Sequence, residues 1–532
     1  MDASGALIPS AEVTVINKGT NARSVARTNS TGNYAVPLLP RGDYRIEVSA
    51  AGFKRFVQEG IELQVQQTAR VDVHMTVGEV AESVVVTADA ARLETENATL
   101  AKVVDNRSIV NLPLNTRNVY NLVFLTPGVT GTVGNSYGEM RYSVNGARAR
   151  TMDTMIDGVS AAHPTVNGFN GISVFPSVDA IEEFNLLGAD YPAEFGRSLG
   201  SVLNVVFKSG TNRWHGSAYE FLRNSAVDAN NFFDNRRGQG LLSFKRSQYG
   251  GVLNGPVRKD KTFFMVSFET LKERRADSTT ANVPTAVERT GDFSQTRTAT
   301  GQPIIIYDPF STRANPSGSG FIRDPFVGNK IPSTRFDPVA VNVAKYYPQP
   351  NTPPTGLSNN QSNFAGSGSK PLDMRQSDYR IDQAITARQR FFARYSTRLN
   401  DDKATIFFPE DLKIAEGRIN QEDHVHGAVA DYTNTLSPVM ILNARLGFAR
   451  TLFVYNNQGL GFVPSSLGLP KYIDTAVDNL QFPAFTVSDY LCDVEQFWSN
   501  HVAGERAPAD PVWVEGAVLK GGGNDAGARS RS

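Results

Sequence analysis

The sequence predicts a mainly β chain in three parts: a small β-sandwich, a turn-rich middle, and a run of amphipathic strands. Three observations lead there. The 532 residues include 45 glycines and 28 prolines, as befits a chain with many tight turns. Apolar residues recur with period two in the second half, which places alternate side chains on opposite faces of a strand. No apolar run approaches the roughly 18 residues of a membrane helix. If this chain crosses a membrane it does so as a closed barrel, because unpaired backbone groups in lipid are too costly.

Bulk composition excludes several classes. Lys and Arg number 53, as do Asp and Glu, so no net field draws the chain to nucleic acid. Cys492 is the only cysteine, which rules out an internal disulfide and a cysteine zinc cluster. Met1 leads straight into Asp2-Ala-Ser-Gly, without the basic stretch and apolar core of a signal peptide.

Residues 1–77 read as short strands between turns. Glu12-Val-Thr-Val-Ile alternates, and Gly32-Asn-Tyr-Ala-Val follows an Asn29-Ser-Thr-Gly turn. Leu39-Pro-Arg-Gly-Asp turns into Tyr44-Arg-Ile-Glu-Val, and Ile61 to Val77 closes the module. Turns about ten residues apart predict a β-sandwich. The order of these segments resembles the carboxypeptidase regulatory-like domain, which implies a transthyretin-like sandwich without peptidase activity. Such a module is expected to contact glycans or simply to stiffen the N-terminus.

Residues 78–95 form a linker. Within it Ser83, Val84, Val85, Val86 and Thr87 make a short β-branched strip. Such a strip can add to the sheet edge of a partner through backbone hydrogen bonds. It resembles the TonB box, which implies TonB, the energy-transducing protein, as its partner. The plainer reading is a last strand of the first module.

Residues 96–211 are β-segments punctuated by Asn-Gly and Asp-Gly turns, where positive φ is easily reached. Asn111-Leu-Pro-Leu-Asn-Thr-Arg-Asn, Leu125-Thr-Pro-Gly-Val, Val144-Asn-Gly-Ala-Arg, Met155-Ile-Asp-Gly-Val and Ala193-Glu-Phe-Gly-Arg resemble, in order, a TonB-dependent plug domain. Asp153, Asp157, Glu182 and Glu183 are the carboxylates an acid/base pair would need. No nucleophile, positioned histidine or phosphate loop accompanies them. The expectation is no enzyme, no catalytic residue and no cofactor.

The joint lies between Tyr191 and Gly216. Val202 to Phe207 is an apolar run interrupted by Asn204, and Lys208-Ser-Gly-Thr-Asn ends it. From there to about 490 the chain reads as barrel. Phe264, Val266 and Phe268 share a face opposite Ser267 and Glu269. Phe391, Ala393 and Tyr395 oppose Arg390, Arg394, Ser396 and Arg398. Met440, Leu442, Ala444, Leu446 and Phe448 alternate with Asn443 and Arg445. A soluble sandwich with one wet face has the same period, so periodicity alone leaves both open. In a barrel, Glu269, Arg390, Arg394, Arg398, Asn443 and Arg445 are the lumen-facing candidates. The Pro- and Gly-rich stretch from about 275 to 376 is expected to be one long loop. His424 and His426 point to one side of a strand, but no third ligand accompanies them, so no metal is expected.

Lys208-Ser-Gly-Thr-Asn-Arg-Trp-His-Gly, Asn254-Gly-Pro-Val-Arg-Lys-Asp-Lys-Thr-Phe-Phe, Gly291-Asp-Phe-Ser, Ile331-Pro-Ser-Thr-Arg-Phe-Asp-Pro and Phe392-Ala-Arg-Tyr-Ser settle the choice. Together they resemble the Oar-like TonB-dependent outer-membrane receptors. The resemblance implies an outer-membrane location in a Gram-negative bacterium, TonB and lipid as partners, and uptake of an extracellular solute such as an oligosaccharide or peptide. About seven barrel strands are legible, against about 22 in plugged outer-membrane transporters. Residues 491–532 lose the alternation and are expected to be an unstructured or out-of-frame tail. The expectation is thus an incomplete barrel in a receptor fragment. An adhesive envelope protein without transport, and a nonfunctional gene fragment, are the alternatives.

Overall fold

A computed structural model describes the chain from residue 1 to 485, apart from residues 3, 66, 80–82, 88–100, 113, 115–116, 134–139, 149–150, 165–169, 173, 189, 193–194, 197, 237, 239, 359–360, 413–415, 417 and 438–439. Beyond 485 it describes 513–514 and 518–521.

The first sheet holds β1 (Glu12–Asn17), β2 (Arg23–Arg27), β3 (Gly42–Ser49), β4 (Arg55–Leu63) and β5 (Ser83–Thr87). Its order is β2-β1-β3-β4-β5. Alternation buries Val13, Val15, Tyr44, Ile46 and Val48 on one face. The expected strand at Gly32–Val36 does not form a ladder. Tyr34 and Val36 instead pack on the core together with Val71 and Val73, and the Tyr34 hydroxyl donates to Val71 O at 2.8 Å. The second layer of the sandwich is therefore extended chain rather than a second sheet.

The middle region holds β6 (Ala101–Asp105), β7 (Val129–Val133), β8 (Met140–Val144), β9 (Asp153–Ile156), β10 (Val159–Ser160), β11 (Ala162–Pro164), β12 (Asn170–Ile172), β13 (Ile181–Leu187) and β14 (Val202–Phe207). Its main sheet runs β10-β9-β14-β13-β6, with β9 parallel to β14. The apolar run at the joint is the buried heart of that sheet. Leu203, Val205 and Phe207 pack with Ile181, Phe184 and Leu186 in one core.

The turn after β14 then presses against the wall. At Gly210 an added Cβ would sit 2.6 Å from Gly255 O, so only glycine allows the approach. The wall consists of β15 (His215–Asn224), β16 (Phe244–Arg258), β17 (Thr262–Ala281), β20 (Phe364–Ala384), β21 (Gln389–Asp402), β22 (Ile419–Ser437) and β23 (Met440–Asn457), all antiparallel neighbours. Within the loop after β17, β18 (Arg313–Ala314) pairs with β19 (Phe321–Ile322). Among the described residues the sheet is open rather than closed on itself.

Two boundaries differ from expectation. The loop occupies 282–363, because β17 and β20 continue pairing as far as Ala281 and Phe364. Twenty residues of β17 extend about 66 Å at 3.3 Å per residue, whereas about ten cross a bilayer. The tail is not wholly without structure. β24 (Trp513–Val514) and β25 (Val518–Gly521) pair with β23, whose edge would otherwise leave its backbone groups unpaired. Cys492 and the rest of 491–532 lie outside the described residues.

The two wall faces have inverted polarity. Leu253, Val266, Tyr379 and Tyr395 form a cross-strand row on the outer face, and all four are exposed. Ser267, Glu269, Gln376, Asp378, Arg394 and Ser396 face the middle region and are buried. Val252, Met265 and Val425 join the middle region's core from the inner face, but its polar row inside and apolar row outside is the reverse of a soluble core.

Candidate functional site

One tight turn of the middle region reaches into the polar face of the wall. Asp157 and Gly158 link β9 to β10 with φ of 50° and 80°. This left-handed geometry explains the Asp-Gly pair. It also thrusts the Asp157 carboxylate at the wall. Asp157 Oδ1 accepts from Phe207 N and from Arg380 Nη1, each at 3.1 Å. Its Oδ2 accepts from Arg394 Nε at 2.7 Å. Arg394 also lies 4.7 Å over the Phe207 ring and donates to Ser396 Oγ. From Ser396 the network reaches Asp378 at 2.6 Å, and Asp378 accepts from Ser267 at 2.7 Å. Arg380 is held in turn by Asp382 at 2.9 Å.

Gly158 is gripped from the other side. Arg445 Nη1 donates to Gly158 O at 3.2 Å while its Nε pairs with Asp431 at 2.8 Å. A Cβ on Gly158 would sit 1.9 Å from Arg445 Nη1. Asn443 donates to both Asp431 oxygens at 3.1 Å and supports that pair. Arg398 is buried and stacks 4.6 Å over Phe175 of the middle region. Glu269 is buried within the wall, where it accepts from Tyr219 at 2.8 Å. Arg117 of the middle region pairs with Asp179 at 2.7 Å and lies 3.8 Å over Phe221 of β15.

Of the six lumen-facing candidates, Arg394, Arg398 and Arg445 touch the middle region directly. Asn443 acts through Asp431, and Glu269 stays in the wall. Arg390 sits at the end of β21 and donates instead to Leu38 O of the sandwich at 2.6 Å. Sequence reasoning missed Asp378, Arg380 and Asp431. Asp378, Arg380 and Asp382 alternate with Tyr379 and Ile381, so the signal was present.

The strip Ser83–Thr87 pairs in parallel with β4, Arg55 opposite Ser83 and Glu59 opposite Thr87. It is the last strand of that sheet, and Val85 is 62 % exposed. The side chains of Ser83, Val84, Val86 and Thr87 lie outside the described residues.

Asp153, Glu182 and Glu183, like Asp157, each have a structural partner. Asp153 accepts from Ser160 at 2.7 Å, and Glu182 and Glu183 both meet Arg41. His424 and His426 lie on the outer face. His426 Nδ1 is 2.7 Å from the Tyr395 hydroxyl, and His424 lies 3.8 Å from Glu422.

Comparison with known families agrees with this architecture. Residues 206–507 match the outer membrane beta barrel domain, more than half of the chain. The chain belongs to that family. Residues 1–76 match the carboxypeptidase regulatory-like domain. Both matches fit an Oar-like receptor of the Gram-negative outer membrane. The TonB-dependent transporter Oar of Myxococcus xanthus is 27 % identical over 275 residues, which are 49 % of this chain and 25 % of that protein.

Among solved structures, the outer membrane transporter YddB of Escherichia coli aligns with a TM-score of 0.41 at 13 % identity, covering 68 % of this chain and 40 % of its own. A mutant of the ferric enterobactin receptor PfeA of Pseudomonas aeruginosa aligns with a TM-score of 0.38 at 13 % identity, covering 66 % and 40 %. The chain spans about a quarter of the curated relative and about two fifths of these receptors. These relatives are transporters and receptors.

Proposed function

We propose that this chain is part of a TonB-dependent outer-membrane receptor that takes up an extracellular solute without chemical catalysis. In this reading residues 1–77 are an accessory sandwich, 96–211 the plug, and the strands from 212 onward the barrel wall. The observation that carries it is the inverted wall, whose buried polar face grips the Asp157–Gly158 turn while its apolar row faces outward. Buried ion pairs add little net stability once desolvation is counted, so those at the Asp157–Gly158 turn fix the position of a plug that must yield, beside the apolar contacts of Val252, Met265 and Val425. Glu269, Arg390, Arg394, Arg398, Asn443 and Arg445 are lumen-side residues in this reading. Ser83–Thr87 is the TonB-contacting strip, and an edge strand is the right template for such a partner.

The test is Val85→Pro. Proline removes a backbone donor from the strip and cannot extend a ladder. The variant is expected to lose capture by the C-terminal domain of TonB while still assembling in the outer membrane. Capture equal to the parent protein would remove the strip as the coupling site.

A further inference from the structure

The sandwich does not hang free of the receptor; it bridges wall and plug. On the wall side, Asn21 Nδ2 donates to Asp260 Oδ1 at 2.9 Å in the β16–β17 hairpin. Arg390 donates to Leu38 O at 2.6 Å from the β20–β21 hairpin. At the joint between plug and wall, Asn212 N donates to Gly19 O at 2.8 Å. On the plug side, Arg41 carries the contact. Its Nε lies 3.0 Å from Glu183 Oε2, and its Nη1 bonds Glu182. Val65 N donates to the other oxygen of Glu183. Both glutamates sit on β13, the strand beside β14 in the plug sheet.

A module pinned to the wall at two places, to the joint at a third and to a plug strand through Arg41 opposes any displacement of that plug. We propose that the N-terminal sandwich is a lid over the plug, with Arg41 as its latch to β13, and that the plug loosens only after this lid undocks. The strip lies in the lid's own sheet, hydrogen-bonded to β4. A partner strand that grips β5 therefore loads the lid before it loads the plug. The inference takes the plug reading as its base but needs no particular partner.

Hydrogen exchange on the purified protein tests it without a ligand. In Arg41→Ala, amides of Ile181–Leu187 and Ala101–Asp105 are expected to exchange at least tenfold faster, with β20 to β22 unchanged. The variant Glu182→Gln weakens the latch from the plug side and leaves the sandwich and Glu183 intact, so it guards against misfolding of the module. A disulfide provides the converse. A Cβ on Gly19 would lie 3.7 Å from Thr211 Cβ, within the range a disulfide needs. Gly19→Cys with Thr211→Cys, in a Cys492→Ser background, is expected to restore slow exchange to Arg41→Ala until the bond is reduced. Unchanged β13 exchange in both latch variants, or no rescue by the disulfide, overturns the lid. Loss of TonB capture in Val85→Pro bears only on the coupling strip, so the two ideas fail separately.

Discussion

Asp157 ties the β9–β10 turn of the plug to two wall strands. It faces two guanidinium groups, and the side chains of Asp157 and Arg394 are almost wholly buried. Asp157→Asn keeps the shape of the turn but leaves two buried cations short of their counter-charge. Removing one partner from a buried ion pair costs about 3–5 kcal/mol. Arg394→Gln is milder, because Arg380 remains on the carboxylate. The expected order of lost plug stability is Asp157→Asn well above Arg394→Gln, read as the urea midpoint for exposure of the β13 amides. Equal or reversed midpoints would show that Arg380, held by Asp382, does not share the load.

The strand is the scale at which the sequence was most legible. Period two separates Phe264, Val266 and Phe268 from Ser267 and Glu269, and the wall keeps that division. The same pattern leaves the surroundings of each face open, since a solvated sandwich alternates equally well. Contacts across the interface were not legible. Asp157 and Arg394 lie 237 residues apart, and no local pattern joins them. Arg390 has the parity of Arg394 but stands at the strand end, so it reaches the sandwich instead. The first half of β20 was obscured because a Pro- and Gly-rich composition extends the expected loop to about 376, where Pro371 nonetheless pairs opposite Arg274; Asp378 and Arg380 lie just beyond it, in the alternating part of the strand.

One substitution separates membrane from water. Val266, 37 % exposed, stands mid-row between Leu253 and Tyr379. Arginine there costs about 2–4 kcal/mol if the row faces the middle of a bilayer. On a solvated face it stays within about 0.5 kcal/mol. Folding into phospholipid vesicles, titrated with urea, is expected to give the larger penalty for Val266→Arg. A negligible penalty would return the wall to the soluble reading.

At the scale of the whole molecule, sandwich and plug meet around Glu183, and that junction has a pH dependence of definite sign. Burial pushes the Glu183 carboxyl above its usual range; Arg41 and the Val65 amide pull it back only in part, and Glu62 adds to the rise. The docked state therefore holds the Glu183 proton more tightly than the undocked state, whose carboxyl titrates near the ordinary value of about 4.3. Between those two values the docked form binds more protons, so docking weakens as pH rises through the window and strengthens as pH falls. This is opposite to the behaviour of an acid stabilised by its ion pair. It follows because the cost of stripping water from a fully enclosed carboxylate exceeds what one guanidinium returns. The thermal midpoint for release of the sandwich is expected to climb as pH is lowered through the window above the ordinary value of about 4.3, and Glu183→Gln is expected to flatten that climb. In Arg41→Ala the carboxyl loses its main opposing charge and rises further, so the pH dependence should steepen and extend to higher pH. A midpoint that instead falls on acidification in the parent protein would mean that the Arg41 ion pair, not burial, governs the junction.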